Sequence, residues 1–451
     1  VLNHSFGQNP QVRMYSENGA AGPPTAENPW FNTLARHPFS VGYDYNHDSP
    51  YTQEFVKRVL QYWVEEFHID GYRFDLSKGF TQNNTLGNVG AWNQYDQSRV
   101  DNWVRIRNDI HEIDDQVYLI LEHLGDNPEE TALANIGFML WGSMHSQFKQ
   151  ASLGFPFGQD LSFASYQNRG WNFPNLVSYA VSHDEERLMY ENLQNGNSFN
   201  PNHDPKDLET ALARQEAIHA FNVPLLGPKM FWQFDELGYD FSINYCNDEL
   251  IDPSCRTSNK PVRWDYYFEP ARQRLYKVFA AINKLKTDYP AFGSSNFNYD
   301  VSGTGKRLII QHESMDVVII GNFDVVPINI VPGFTQTGVW YDYFGGDAIF
   351  ENNLNNAFEL QPGEYKIYTT AQLPTPDLSV NAVDVTLRVD MSQENFNAAS
   401  DTISVSGTFN DFEKLEMNPI GNGIYQTTIT LVDGEPIEYK YRINSSFESP
   451  V

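Results

Sequence analysis

The sequence is poor in basic side chains and has no long apolar run. Lysine and arginine total 30 of 451 residues against 58 aspartate and glutamate residues, so the formal net charge is −28. A surface of that sign repels nucleic acid and anionic membrane surfaces and favours neutral or cationic partners. No apolar stretch approaches the roughly 20 residues of a membrane-spanning helix. We therefore expect binding to neither nucleic acid nor membranes.

Cysteine is nearly absent. Cys246 and Cys255 alone occur, close together in a polar and loop-like segment. Their proximity suggests a local disulfide, which by loop entropy would contribute about 3 kcal/mol in an oxidising compartment. Two free thiols are a fair alternative.

Strand-like and helical apolar patterns alternate along the first 290 residues. Ser49 and Pro50 are typical of a helix start, with Ser49 as the cap, and helical spacing follows them. Repeated units of this kind predict a parallel sheet wrapped by helices, with functional side chains after the strands. The predicted strands after the central one are 117–125, 138–142, 176–185 and 229–238.

The central stretch, FHIDGYRFDLSKGF at 67–80, carries Arg73 and Asp75 two residues apart on a short apolar strand. On a strand, this spacing places both side chains on one face. Arg73 can therefore favour the ionised form of Asp75 and orient it, as a carboxylate nucleophile requires. An ordinary ion pair at a strand end explains this stretch alone equally well.

Further polar side chains end other predicted strands. Glu122 ends the strand after Asp75, and His183 and Asp184 end a later one. Because neighbouring parallel strands lie about 5 Å apart, Asp75 and Glu122 can face each other across a cleft. Cleavage of a glycosidic bond with retention needs one ionised and one protonated carboxyl group at about this separation. His183 and Asp184 could hydrogen-bond to sugar hydroxyls.

Four short motifs resemble the signature motifs of the α-amylase family of retaining glycoside hydrolases, glycoside hydrolase family 13. The motifs are VLNH (1–4), DGYRFDLSKG (70–79), ILEHLG (120–125) and AVSHDE (180–185). The resemblance covers about residues 1–370 and implies a (β/α)8 TIM barrel. It implies that Asp75 is the nucleophile, oriented by Arg73, and that Glu122 is the general acid and base. Asp184 is implied as a third catalytic carboxylate, and His4 and His183 as substrate-binding residues.

The same resemblance implies a calcium ion. The segment VGYDYNHDSP (41–50) looks like an extra family motif in a domain inserted after the third barrel strand. Asn3, Asp44 and the backbone carbonyl of Gly79 are the implied ligands.

Two positions depart from the family pattern. Gly79 stands where many amylases have a histidine that contacts the leaving-group side, and Ser182 replaces the common asparagine before His183. Both departures bear on the acceptor side and leave the carboxyl groups intact. The family barrel has eight strands, whereas about six are predicted here. We therefore expect a TIM barrel missing its first strands, in a fragment of a longer protein cut at both ends.

Three domains are predicted. A catalytic barrel spans 1–290, with an inserted loop domain at about 5–49, and a small antiparallel β domain spans 291–370. A Pro-containing linker, LPTPDLS, then leads to an immunoglobulin-like β-sandwich at 380–451. SGTFNDFEKLEM in this sandwich resembles starch-binding modules, but Phe412 stands where tryptophan is usual. A spacer role is equally favoured.

The leading hypothesis is an extracellular, monomeric α-amylase that hydrolyses α-1,4-glucosidic bonds of starch-like glucans by double displacement. The domain layout resembles secreted bacterial enzymes and predicts a secreted or cell-surface location. A transglycosylase such as a glucan-branching enzyme, slightly favoured by Ser182, is one alternative. A catalytically inactive glucan-binding homologue is another, although it would have no chemical need to keep Asp75, Glu122 and Asp184.

Overall fold

The computed structural model describes residues 3–16, 19–410 and 412–447. The described chain begins with strand β1 (His4–Ser5), which pairs antiparallel with β2 (Tyr43–Asp44). In this register His4 lies opposite Asp44. Val1 and Leu2, the first two residues of the motif VLNH, lie outside the described residues.

A parallel sheet forms the centre of the first part of the chain. Its strands follow one another in chain order: β3 (Gly71–Phe74), β4 (Tyr118–Leu121), β5 (Met139–Ser143) and β6 (Leu176–Tyr179). A parallel bridge from Ser178 to Lys229 continues the sheet beyond β6. The predicted parallel sheet is confirmed, with shorter strands than the apolar runs suggested.

The predicted strand over 229–238 is wrong beyond the bridge at Lys229. Phe234 has a positive φ of 63°, and Asp235–Leu237 form a 3-10 turn. The carboxylate of Asp235 accepts a hydrogen bond from the backbone N–H of Trp232 (3.1 Å). Because a side chain that captures nearby backbone competes with strand pairing, these apolar residues pack in a loop.

Helices flank the parallel strands, as predicted. They are α1 (Pro10–Arg13), α2 (Pro50–Phe67), α3 (Val89–Asn93), α4 (Gln97–His111), α5 (Asn127–Asn135), α6 (His145–Leu153), α7 (Leu188–Asn195), α8 (Leu208–Asn222) and α9 (Pro270–Asp288). Pro50 opens α2, but the hydroxyl of Ser49 donates to the carbonyl of Pro29 (2.5 Å) and does not cap the helix. Ser49 therefore occupies the predicted N-cap position, but its side chain does not make the capping hydrogen bond.

An aromatic cluster lies under the turn that follows β3. The ring of Trp103 in α4 lies 5.0 Å from Phe74, 4.3 Å from Phe80 and 5.7 Å from Phe138, measured between centroids. All four side chains are fully buried. The indole N–H of Trp103 donates to the carbonyl of Ser77 (3.2 Å), so the cluster also holds the backbone of the turn.

An antiparallel β domain follows α9. Its strands are β7 (Phe297–Asp300), β8 (Gly305–Ile310), β9 (Val317–Asn322), β10 (Ile328–Ile330), β11 (Gly338–Asp342), β12 (Ala348–Glu351), β13 (Phe358–Leu360) and β14 (Tyr365–Thr369). Six form one sheet in the order β12-β11-β14-β9-β8-β7, and β10 pairs with β13. Its core is continuous with that of the helices, because Phe221 of α8 and Ile282 of α9 share a cluster with Ile319 of β9.

The last described strands form two facing sheets with their own core. The strands are β15 (Ala382–Asp390), β16 (Ile403–Gly407), β17 (Leu415–Glu416), β18 (Asn418–Gly421), β19 (Ile424–Val432), β20 (Tyr439–Ile443) and β21 (Ser446–Phe447). The sheet orders are β15-β19-β18 and β17-β16-β20-β21. Leu387, Val405 and Tyr425 lie in the core. The predicted sandwich is confirmed, whereas the domain boundaries and a glucan-binding role stay predictions.

Cys246 and Cys255 form a disulfide, which decides between the two alternatives left open by the sequence. It closes a loop between the 3-10 turn at Asp235–Leu237 and helix α9. Among the described residues, every helix is too short or too polar to cross a bilayer.

We predict that Trp103→Ala lowers the free energy of unfolding by about 3–5 kcal/mol, because it empties the centre of the aromatic cluster. Urea unfolding followed by circular dichroism measures the change. Phe157→Ala is the control, since this side chain is 83% exposed; its effect should stay within about 0.5 kcal/mol. Equal effects of the two substitutions would contradict the prediction.

Candidate active site

Two carboxyl groups lie at the carboxyl ends of neighbouring strands. Asp75 directly follows β3, and Glu122 directly follows β4. The backbone N–H of Glu122 donates to the carbonyl of Phe74 (2.9 Å), and that of Ser77 donates to the carbonyl of Glu122 (3.1 Å). These bonds extend the ladder past the strands and hold both residues at the edge where parallel barrels gather functional side chains.

Arg73 lies between the two carboxyl groups. Its Nη1 contacts Oδ1 of Asp75 at 2.5 Å, and its Nη2 lies 3.0 Å from Oε2 of Glu122. Oε2 also accepts a hydrogen bond from the backbone N–H of Leu76 (3.0 Å). The guanidinium carbon lies 4.2 Å from the centroid of the Trp141 ring, which fixes the plane of the cation.

The two carboxyl groups have opposite pKa shifts. Burial raises the pKa of Glu122 to about 7, although Leu76 and Arg73 act against the shift. Burial also acts to raise the pKa of Asp75, but hydrogen bonds from Glu122 and Arg73 outweigh it and the net shift is downward. At neutral pH, Asp75 is therefore ionised while Glu122 keeps a large protonated fraction.

The carboxyl groups of Asp75 and Glu122 lie within reach of one guanidinium, because Arg73 contacts both. A retaining glycosidase needs two such carboxyl groups on one site, about 5 Å apart. Burial lowers the pKa of His4, whereas the negative charge of Asp75 acts to raise it. His4 therefore lies within electrostatic reach of Asp75.

His183 and Asp184 are linked to this site through Trp141. Nε2 of His183 lies 3.2 Å from Oδ2 of Asp184, and both side chains are partly exposed. The His183 ring approaches Trp141 at 6.1 Å, and Trp141 in turn carries Arg73 on its face. Trp141 therefore connects the loop after β6 to the carboxyl groups after β3 and β4.

The two departures from the family pattern are both buried. The hydroxyl of Ser182 donates to the carboxylate of Glu185 and accepts from the backbone N–H of Asp184 (3.1 Å). A Cβ added to Gly79 would lie 2.2 Å from Oδ1 of Asn3, so a side chain has no room there. Both positions face the interior of their loops, and their effect on acceptor specificity stays a prediction.

The predicted metal ligands converge. Oδ1 of Asn3 and Oδ1 of Asp44 are buried and lack a hydrogen-bond partner among the described residues. Gly79 lies against the Asn3 side chain. Nε2 of His37 lies 3.3 Å from Nδ2 of Asn3 and 3.4 Å from Oδ1 of Asp44. Orphaned oxygens from separate segments suit a hard cation.

The described residues contain no group of three or more His, Cys, Asp or Glu side chains arranged to hold a metal. A cation at this place would therefore depend on the amide oxygen of Asn3 and on backbone oxygen as well as on the carboxylate of Asp44. The predicted set of Asn3, Asp44 and Gly79 thus fits calcium in donor type, although the metal itself stays a prediction.

Three residues at the site were not predicted. Trp141 lies at the centre of β5, and nothing in the predicted apolar strand at 138–142 distinguishes it from a core residue. Arg256 contacts Asp184 at 2.7 Å from a distant loop, and its only local signal is the neighbouring Cys255. His37 sits in a Pro-rich loop with no pattern that points to Asn3 or Asp44.

No protein-family model matches the chain. Among curated proteins, it is 24% identical to a glycogen debranching enzyme of Klebsiella pneumoniae, over 46% of this chain and 35% of that protein. It is 23% identical to the 1,4-alpha-glucan branching enzyme GlgB 2 of Rhizobium etli (63% and 40%). It is also 23% identical to chloroplastic isoamylase 1 of Arabidopsis thaliana (68% and 43%). The chain spans less than half the length of these relatives.

Solved structures share the fold at low identity. An Anoxybacillus α-amylase superposes with a TM-score of 0.56 at 14% identity, over 83% of this chain and 75% of that one. The type III pullulan hydrolase of Thermococcus kodakarensis gives 0.57 at 16% identity (82% and 59%). The fold is therefore that of the α-amylase type of TIM-barrel protein. The curated relatives and the motifs at the strand ends agree with this resemblance to the α-amylase family, glycoside hydrolase family 13.

We predict that Glu122 titrates near pH 7 in the free protein, because burial raises its pKa to about 7. Infrared difference titration of the wild type against Glu122→Gln isolates this carboxyl group. In Asp75→Asn the midpoint should fall, since the negative charge that raises the Glu122 pKa is removed. A carboxyl signal confined to the ordinary range near 4.5 would contradict the prediction.

Proposed function

We propose that this chain is a retaining glycoside hydrolase acting on α-glucans of the starch or glycogen type. The observation that carries the proposal is the placement of Asp75 and Glu122 on either side of Arg73, with opposite pKa shifts. The similarity to curated glycogen and starch enzymes supports the substrate class, and the acidic surface suits a neutral polymer.

The proposed reaction has two steps. Asp75 attacks the anomeric carbon and forms a glycosyl ester, while Glu122 gives its proton to the oxygen of the departing sugar. The Glu122 carboxylate then takes a proton from water, whose oxygen attacks the same carbon and releases Asp75. Two inversions leave the product in the α configuration.

Each remaining side chain has a proposed role in that reaction. Arg73 holds Asp75 ionised and in position through the first attack. His4, His183 and Asp184 bind the sugar whose bond is cleaved. Because Glu122 must start protonated, activity should fall as the pH rises through its pKa of about 7.

Among the bonds that such a site can cleave, we favour the α-1,4-glucosidic bond. The match to amylase-like sequences continues through GPKMFWQFDELGYD at 227–240 and into the β domain that follows. Action at branch points is a second candidate, supported by the curated relatives named debranching and branching enzymes. Hydrolysis of α-1,4 bonds, debranching and branching would all use the same two carboxyl groups. Only the products can therefore distinguish these three activities.

We predict that Asp75→Asn and Glu122→Gln each lower kcat on soluble starch by about three or more orders of magnitude. Each substitution removes a charge or a proton donor at nearly constant volume, so the circular dichroism spectrum should not change. Glu313→Gln is the matched control, because Glu313 is exposed in the β8–β9 turn. Near-wild-type turnover in either site variant would exclude the mechanism.

The products distinguish the candidate bonds. With amylose, an α-1,4 hydrolase lowers iodine staining while reducing ends increase and new products begin as the α-anomer. Transfer to another chain lowers staining without new reducing ends and introduces α-1,6 linkages. An enzyme confined to branch points leaves amylose intact and releases linear chains from a branched glucan.

We also propose a calcium ion held by Asn3, Asp44 and the carbonyl of Gly79. When bound, the ion would join three separate segments beside Asp75 and would have a stabilising role. We further propose that the protein acts in a secreted or cell-surface location, which the disulfide supports. A monomer is the proposed functional unit.

We predict that calcium raises the melting temperature of the chelated protein and that chelation reverses the rise. An ion that binds only the native state adds about 2.7 kcal/mol at about a hundred times its dissociation constant. Differential scanning fluorimetry with EDTA and replenished calcium measures the shift. Asp44→Asn should lose the response, because one ligand charge is gone. An unchanged melting temperature in the wild type would contradict the calcium proposal.

A further inference from the structure

Arg256 reaches Asp184 from a loop 72 positions further along the chain. Its Nη2 atom donates to Oδ1 of Asp184 (2.7 Å) and to the backbone carbonyl of the same residue (2.9 Å). The other carboxylate oxygen, Oδ2, lies 3.2 Å from Nε2 of His183. Both oxygens of Asp184 therefore have a partner, and two separate elements fix the plane of the carboxylate.

The pair formed by Arg256 and Asp184 is accessible to solvent. The two side chains are 48% and 43% exposed. Ion pairs at this exposure contribute little to folding stability, because water and salt screen them. The guanidinium has five N–H donors, and the described contacts use Nη2 alone. The other donors are available to a ligand that approaches Asp184.

The loop that presents Arg256 is closed by a covalent bond. Cys255, immediately before Arg256, is joined to Cys246. Within the same loop, the carboxylate of Asp252 accepts a hydrogen bond from the backbone N–H of Ser254 (2.8 Å). The cross-link removes backbone freedom from the residue directly before the arginine. A long and flexible side chain thus starts from a fixed position.

A cavity of about 360 Å³ opens beside the pair. Its lining includes His183 and Asp184 together with Arg256 and Trp232. The Trp232 ring lies 5.7 Å from that of His183. An aromatic face combined with a few converging donors and acceptors suits a neutral, hydroxyl-rich ring, which stacks on one side and hydrogen-bonds on its edge.

We infer that Arg256 is a positioning residue for Asp184 and a determinant of affinity for the sugar in this cavity, and that the Cys246–Cys255 disulfide holds it there. The inference rests on the proposed function, because it concerns how the same cleft binds its α-glucan. Without the guanidinium, Asp184 keeps His183 as its side-chain partner and its carboxylate is free to turn away from the sugar.

Steady-state kinetics of the full chain on a linear maltooligosaccharide test the inference. Arg256→Gln should raise KM about tenfold, because a charge-assisted hydrogen bond is lost, while kcat changes by less than about threefold. Arg256→Lys should be intermediate, since it keeps the charge but not the planar fork. The alkaline limb of the pH profile should not move, because Asp75 and Glu122 are untouched.

A thermodynamic cycle tests the role of the disulfide. The double variant Cys246→Ser/Cys255→Ser should raise KM in the same direction and should add nothing in the Arg256→Gln background. Arg307→Gln is the matched control: Arg307 donates to Asp300 (2.8 Å) and to the carbonyl of Val331 (2.9 Å), both in the β domain. It should leave KM unchanged.

The outcomes separate this inference from the proposed function. An active wild type with the same KM in Arg256→Gln overturns the positioning role alone. Additive effects of the cysteine and arginine substitutions overturn the role of the disulfide. If the wild type cleaves no α-glucan and Glu122→Gln binds none by calorimetry, the proposed function and the inference both fall.

Discussion

The guanidinium of Arg73 is a single positive charge between two carboxyl groups, those of Asp75 and Glu122. Burial alone would raise the pKa of both groups and favour the protonated form of each. The shorter contact, at 2.5 Å, goes to Asp75, and that carboxyl group stays ionised while Glu122 retains its proton more readily. The asymmetry depends on the position of the guanidinium, which the Trp141 face fixes from one side. Below it, the aromatic cluster around Trp103 fixes the turn that carries Asp75.

The parts of the site that the sequence predicted are those that local rules determine. Arg73 and Asp75 share a face because strands have a period of two, and Glu122 lies beside them because the next strand is parallel and adjacent. Arg256 and His37 obey no such rule. Each reaches its partners from a loop, and the position of a loop depends on tertiary contacts that no short window of sequence contains.

Ser182 and Gly79 differ from the family pattern at buried positions. Both were interpreted by what the usual residue does to a sugar, and that interpretation stays a prediction. Ser182 closes its own turn through Glu185, and Gly79 yields its space to Asn3 and His37. The strand predicted over 229–238 is wrong beyond Lys229. The Asp235 carboxylate accepts a hydrogen bond from the backbone N–H of Trp232, which a strand would have used for pairing.

The helices and the antiparallel β domain share one buried core, which affects how the protein unfolds. Phe221 and Ile282 pack with Ile319, and the hydroxyl of Tyr299 donates to the carbonyl of Phe221 (3.0 Å). The buried core therefore continues across the predicted boundary near residue 290, and we expect the two parts to unfold together. The terminal sandwich has a core of its own. Heat or denaturant should thus melt the β domain together with the barrel, and the sandwich as an independent event.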